Sequence, residues 1–329
     1  MGVEALFQLS FSMWGGRALQ AAVRHALFTH IARGKRTRDE VASAAGTDPR
    51  GTGMLLDAMC GFGLLRKEGA QYALTPVSSQ FLVKDSPDYF CEMMEGDGMW
   101  DLWSHLSTTV KTGKSPMKVE APQAAEQFFP VLVKSLHVMH REPSKRAAEA
   151  LLAEHRGKGM RVLDVAAGSG VWGIALAEAD PTVRVTAHDF PGVLATTRSY
   201  TKRHGVADRF DELAGDLKQV DFGKGRFDLA ILGHIVHSEG EESSRDLFRR
   251  LHAALRPGGR VAIHDFVPSD DRTGPPFPLL FALNMLLHTE QGNVYTMAEY
   301  RRWLTEAGFA EVASIDAGGV SPMIVAQRR

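Results

Sequence analysis

Residues 162–170 read Val162-Leu163-Asp164-Val165-Ala166-Ala167-Gly168-Ser169-Gly170, and Val171-Trp172-Gly173-Ile174-Ala175-Leu176-Ala177 follows. An apolar run carrying one acid, a cluster of small residues and a helically spaced apolar segment predict a buried strand, a tight turn and a helix start. The small residues let backbone approach a ligand, and the helix N-terminus offers unpaired N–H groups at a positive dipole end. The ligand this suits is a nucleotide, or a nucleoside with a carboxylate tail. A second strand, Arg184-Val185-Thr186-Ala187-His188-Asp189, ends in an acid 25 residues after Asp164. An acid there holds ribose hydroxyls in dinucleotide-type folds. Ala166 stands where the strict glycine fingerprint has its first glycine, so a nicotinamide cofactor fits less well.

The chain has 329 residues, 44% hydrophobic and 23% charged, with a formal net charge of -1. That length suggests two domains with a sizeable core. Near-neutral charge leaves no footprint for nucleic acid or an anionic membrane. Two cysteines, Cys60 and Cys91, argue against a disulfide framework and suit a reducing cytosol. No basic segment precedes an apolar run at the N-terminus, and no apolar run nears membrane-spanning length. The expectation is a cytoplasmic protein.

Beyond 162–189 the alternation continues. A helix is expected from Gly192 to His204, a strand over 209–214, a strand over 227–232, an amphipathic helix from Glu241 to Arg256, and a strand over 260–265 after Pro257-Gly258-Gly259. Repeated strand and helix predict an α/β, doubly wound sheet with its ligand at the strand C-termini. Four segments recur in order: Asp164 to Gly170, His188-Asp189-Phe190-Pro191-Gly192-Val193-Leu194, Ala214-Gly215-Asp216-Leu217, and Leu255-Arg256-Pro257-Gly258-Gly259-Arg260. Together they resemble the S-adenosylmethionine-dependent small-molecule O-methyltransferases of the caffeate and hydroxyindole type, in a bacterial branch. The resemblance implies a Rossmann-like catalytic domain over 157–329, opening after the linker Gly157-Lys158-Gly159. It implies that S-adenosyl-L-methionine is the cofactor, held by Asp164, Gly168, Gly170, Asp189 and Phe190, with Asp216 and Leu217 flanking the adenine and Met139 approaching cofactor and substrate.

Ahead of that domain, 6–31 is helically patterned through Leu19, Val23, Ala26, Leu27 and Ile31. Thr37 with Glu40 forms a capping box for the next helix, and Asp48-Pro49 opens another. Two short strands flank Glu68-Gly69. Three helices and a hairpin make a mostly helical winged-helix domain over 1–100. Alone, that pattern reads as DNA-binding. However, the candidate recognition helix offers Gly51, Thr52, Gly53, Met54, Leu55, Leu56 and Asp57, with few side chains able to reach base edges. In the family it resembles, this module dimerises the enzyme and covers the substrate, so a homodimer without nucleic acid is expected. Residues 101–156 read as a helical linker lining the substrate pocket. Its apolar residues, among them Phe128 and Phe129, suit either interdomain packing or a wall for an aromatic substrate.

Methyl transfer to a phenol, whose pKa is about 10, needs a base near neutral pH. In the family a histidine after the fourth strand serves, and here Gly233-His234-Ile235-Val236-His237-Ser238-Glu239 puts His237 there. A carboxylate that orients this base in many relatives is replaced by Val294. Glu239, Asp265 or Glu290 could take its place. His137, His140, His234, Phe281, Asn284, Met285 and His288 are candidate substrate contacts. Convergent histidines could bind a metal, but none has the spacing of a known metal motif and the family is metal-independent, so none is expected. The expected function is methyl transfer to a hydroxyl of a small aromatic molecule. The alternatives are C- or N-methylation, a non-methylating relative, or a winged-helix regulator sensing S-adenosylmethionine.

Overall fold

The computed structural model describes residues 2–117, 119, 122–318 and 321–329, and only the backbone of 122–131, so the side chains of Phe128 and Phe129 lie outside the described residues. The chain divides into two compact units, 1–100 and 101–329.

The first unit holds α1 (Val3–Phe11), α2 (Met13–Arg24), α3 (Leu27–Ala32), α4 (Arg38–Ala45), α5 (Pro49–Gly61), an antiparallel hairpin of β1 (Leu65–Glu68) and β2 (Gln71–Leu74), and α6 (Pro76–Phe81). Thr37 and Glu40 close the expected capping box at the start of α4. The helical run expected over 6–31 is broken twice, after Phe11 and at Ala26, whose φ of 52° is left-handed. The second break re-aims the chain so that Leu27, Phe28 and Ile31 all enter a core with Val23, Val41, Leu56, Met59 and Tyr72. Apolar spacing alone does not report such a break, because both segments keep the helical period.

The helix α7 (Gly98–Ser104) runs across the boundary at Trp100, and α8 (Leu106–Thr112) and α9 (Pro122–Leu152) belong to the second unit. By contacts the described residues of 101–156 fall in the same compact unit as the sheet, and α9 lies against α10 (Val171–Ala179). The sheet has seven strands in the order β5 (Phe210–Ala214), β4 (Arg184–Asp189), β3 (Arg161–Val165), β6 (Phe227–Gly233), β7 (Leu255–His264), β9 (Met323–Arg328), β8 (Phe309–Ile315). The first five are parallel, and β9 runs antiparallel to both neighbours. The remaining helices are α11 (Pro191–Arg203), α12 (Val236–Ala254), α13 (Pro276–His288) and α14 (Met297–Glu306).

Alternate residues of one strand feed opposite cores. Ala230 and Leu232 of β6 join Leu247, Phe248 and Trp303 on one face. Leu229 and Ile231 join Val162, Leu176 and Met160 on the other. Burial on both faces explains why the central strands read as apolar runs rather than alternations. The chain builds outward from β3 through β4 to β5, then returns to β6 on the other side of β3. A ligand crevice is expected at that reversal, beyond the C-terminal ends of β3 and β6. Among the described residues no helix is long and apolar enough to cross a membrane.

Candidate active site

A cavity of about 1000 Å3, counting its open mouth, lies at that reversal. Its walls are the turn after β3 (166–169), the end of β4 (188–190), the loop after β5 (215–218), the segment after β6 (233–235), and Val133, Leu136 and His140 from α9. Gly168 has a φ of +58°, and a Cβ there would stand 3.3 Å from Val133, across the approach to the loop. Its N–H donates to Asp189 Oδ2 at 2.8 Å, and the Phe190 N–H donates to Oδ1 at 2.8 Å. Two backbone donors therefore fix the Asp189 carboxylate at the cavity wall, while burial pushes its pKa up to about 6. Asp216 accepts from the Lys218 N–H at 2.9 Å and stands beside buried Leu217 on the same wall. His188 is buried, with its pKa lowered to about 4 by desolvation, and its Nε2 has no partner among the described residues. A cavity bordered by a fixed acid, a glycine turn and an unpartnered ring nitrogen fits a nucleoside cofactor.

Past Gly233 and His234, which line the cavity, β6 and β7 lie side by side with Gly233 opposite His264; His237 and Asp265 do not themselves line the cavity. The residues just past the two strands consequently meet. His237 Nδ1 is 2.7 Å from Asp265 Oδ1, and the His237 N–H donates to Asp265 Oδ2 at 3.1 Å. Asp265 also accepts from the Phe266 N–H at 2.8 Å and from Tyr300 Oη at 3.4 Å. Burial would raise its pKa, but the electrostatic pull and hydrogen bond of His237, with the His234 ring nearby, outweigh this and hold it well below the usual carboxylate range. Asp265 is thus an ionised acceptor, and a carboxylate at that distance favours the tautomer of a neutral imidazole that keeps its proton on Nδ1 and leaves the lone pair on Nε2. Of the three acids considered from the sequence, the structure pairs Asp265 with His237. Val294 is buried and fills space only.

The other anticipated residues separate into groups. Gly168, Asp189, Phe190, Asp216, Leu217, His140 and His234 line the cavity. Phe281 packs edge-on against the His237 ring at 4.8 Å. Asp164 does not border the cavity. It is fully buried behind the turn, where Oδ2 accepts from the Gly173 N–H at 3.0 Å and desolvation pushes its pKa up to about 8. Gly170 is required by its φ of +75° at the start of α10 and by Thr197, which a Cβ would meet at 3.1 Å. Met139 is 46% exposed, about 100° around α9 from His140, and makes no cavity wall. His137 faces α11 instead, with Nδ1 3.0 Å from Ser169 Oγ and its ring on Tyr200 at 4.1 Å. On α13, Asn284 accepts from Trp103 Nε1 at 3.2 Å, His288 Nδ1 meets the Asn284 carbonyl at 2.8 Å, and Met285 is buried; none of them lines this cavity. The sequence reading missed Trp172, which lines the cavity, and His264, whose ring lies 4.7 Å from Trp172. The position of His264 at the end of β7 was a usable signal, since the ends of parallel neighbours converge.

A profile for the O-methyltransferase domain matches residues 131–310, and one for the O-methyltransferase dimerisation domain matches 7–84. The chain is 29% identical to the tetracenomycin polyketide synthesis 8-O-methyltransferase of Streptomyces glaucescens, over 99% of this chain and 97% of that one. It is also 29% identical to the acetylserotonin O-methyltransferase of Rattus norvegicus, over 99% of this chain and 77% of that one. A solved O-methyltransferase structure from Nostoc punctiforme superposes with a TM-score of 0.87 at 28% identity, covering 100% of both chains. Human N-acetylserotonin methyltransferase, solved with S-adenosylmethionine, gives 0.85 at 23% identity over 100% of this chain and 99% of that one, a likeness of fold. With the catalytic profile spanning more than half of its length, the chain belongs to the S-adenosylmethionine-dependent O-methyltransferases that carry an N-terminal dimerisation domain.

Proposed function

We propose that this enzyme methylates a hydroxyl group of a small aromatic molecule, with His237 as the general base oriented by Asp265. The observation that carries the reading is the 2.7 Å contact between His237 Nδ1 and Asp265 Oδ1. S-adenosylmethionine supplies an electrophilic methyl group when bound. Asp189 would hold the ribose hydroxyls, and Asp216 and Leu217 would flank the adenine. His237 Nε2 removes the acceptor's proton, and Asp265 stabilises the imidazolium that results. Trp172, Phe190, Ile235 and Leu136 make part of the cavity apolar and limit water there. Relatives named for a tetracenomycin polyketide, a hydroxynaphthoate and acetylserotonin support an aromatic acceptor. A base paired to a carboxylate favours a hydroxyl over an already nucleophilic amine, which needs no prior deprotonation.

Calorimetry with S-adenosylmethionine tests the cofactor wall. Saturable binding to the wild type that Asp189→Ala abolishes supports it, and unchanged affinity in the variant refutes the role of Asp189. A panel of phenols, naphthols and anilines then tests the acceptor class. Methylation of the anilines alone would overturn the hydroxyl reading.

The same reading makes the enzyme a homodimer. Val3, Leu6, Phe7 and Leu9 of α1, with Met13 and Trp14 of α2, are exposed within the unit that matches the dimerisation profile. An apolar strip of that kind calls for cover by a second copy. Sedimentation equilibrium is expected to give twice the chain mass, and a monomer at micromolar concentration would contradict it. We assign this domain no DNA-binding role; on α5, Asp57 is held by Lys67 at 2.6 Å and Tyr72 at 2.8 Å.

A further inference from the structure

The catalytic pair belongs to a larger imidazole cluster. His234 adopts a left-handed φ of 58°. Its ring stacks on His140, with centroids 4.5 Å apart and planes at 10°, and its Nε2 is 2.9 Å from His264 Nδ1. Its Nδ1 is buried and has no hydrogen-bond partner among the described residues, yet faces Asp265 Oδ1 at 3.6 Å. That is too long for a hydrogen bond and short enough to share one ion. One donor atom from each of His234, His237 and Asp265 lies within 4.8 Å of the other two. Ligand atoms bound tetrahedrally to zinc at about 2.0–2.1 Å stand roughly 3.3 Å apart. The two separations from Asp265 Oδ1, 2.7 Å to His237 Nδ1 and 3.6 Å to His234 Nδ1, bracket that value.

His140, His234 and His264 satisfy the same distance limit. They converge poorly, because the stacked rings of His140 and His234 keep their in-plane lone pairs in two nearly parallel planes and His234 Nε2 is already engaged by His264. In this arrangement the stack sets the ring of His234 rather than supplying ligands.

The geometry points to an inhibitory site for a borderline transition-metal ion such as Zn2+, held by His234 Nδ1, His237 Nδ1 and Asp265 Oδ1, beside the cavity that His234 lines. Imidazole and carboxylate are suitable zinc ligands, and a fourth position stays open to water. The metal takes the Nδ1 lone pair of His237 once the proton on that nitrogen has moved to Nε2 through solvent. No proton is lost from the ring, and Nε2 becomes an N–H donor that cannot accept a proton from the acceptor hydroxyl. The metal is therefore no cofactor; it locks the base in its unreactive tautomer. This inhibition rests on His237 being the base, whereas the binding does not.

The test is calorimetry of Zn2+ into chelator-stripped full-length protein, with Co2+ absorption in the visible as a second reading of four-coordinate geometry. One equivalent per chain is expected, with affinity falling by about tenfold or more in His234→Phe and again in Asp265→Asn, and retained in His140→Phe. Should His234→Phe fail to give a wild-type circular dichroism spectrum, His234→Asn replaces it. An absence of saturable binding overturns the site, as does an isotherm unmoved by both the His234 and the Asp265 substitutions. The turnover of metal-free His237→Ala tests the base separately, so failure of one claim is distinguishable from failure of the other.

Discussion

His237 and Asp265 are 28 residues apart in sequence and 2.7 Å apart in space. The sequence identified the histidine from its place after the fourth strand, and left three acids open as partners because strand pairing, not spacing, decides among them. Once β6 and β7 are parallel neighbours, the residue directly following β7 is placed beside the residues following β6. The pairing predicts that Asp265→Asn lowers kcat by about 10²-fold or more while KM changes little, since an amide neither fixes the Nδ1–H tautomer nor stabilises an imidazolium. Steady-state kinetics on any accepted phenol checks this. Asp164 invites a different prediction. Its folded pKa of about 8 lies above its unfolded value, so the native state retains a proton that the unfolded chain releases. This group's contribution to stability is present at low pH and is lost as pH rises from about 4 to 8. Asp164→Asn, which has no charge to bury, is expected to melt above the wild type at pH 8, with the gap narrowing towards pH 5. A gap that is constant with pH in thermal melts would contradict a protonated Asp164.

At the scale of elements, existence and type were legible, while phase and breaks were not. The α9 helix shows why. Its sequence supplies apolar residues on several faces, and only the packing against α10 settles that His140 looks into the cavity while Met139 looks out. The reading of α12 began at Glu241, where the charged amphipathic pattern starts. The helix begins at Val236 and is kinked at Gly240, with a φ of 77°, so that His237 sits in its first turn with its backbone N–H on Asp265. The end of β6 carries the clearest steric demand. A Cβ on Gly233 would lie 2.0 Å from Trp172 Nε1, so Gly233→Ala must displace the indole from the cavity wall. A cost of about 1–3 kcal/mol is expected, the usual range for overpacking. Urea unfolding would show it, and S-adenosylmethionine affinity is expected to fall in parallel. A wild-type midpoint in this variant would mean that Trp172 moves freely.

For the whole molecule, the doubly wound sheet and its ligand edge followed from the order of apolar runs and glycine turns, because each strand buried on both faces leaves an unbroken signature. The distribution of histidines did not follow, since burial is set by the finished fold. His140, His188 and His264 are all driven below their ordinary pKa by desolvation, His188 to about 4 and His264 to about 3. A histidine whose folded pKa is depressed contributes stability that is complete above about 6.5 and is lost as pH falls towards the folded value. Between about pH 6.5 and 4 the unfolded chain binds protons on these three rings that the native state does not, while Asp164, and below about pH 6 Asp189, offset two of them. For His188 alone the loss is about 3 kcal/mol at the acid end. The urea midpoint is expected to fall steadily over this range, before most carboxylates protonate. A flat midpoint from pH 6.5 to 4.5 would mean that these rings are solvated in the folded protein.

The central claim, that a carboxylate-paired histidine takes the acceptor's proton, is tested most directly by kcat of His237→Ala at saturating S-adenosylmethionine and phenolic acceptor. A fall of about 10²-fold or more with cofactor affinity preserved is expected. A turnover number within a few-fold of the wild type would remove His237 as the base.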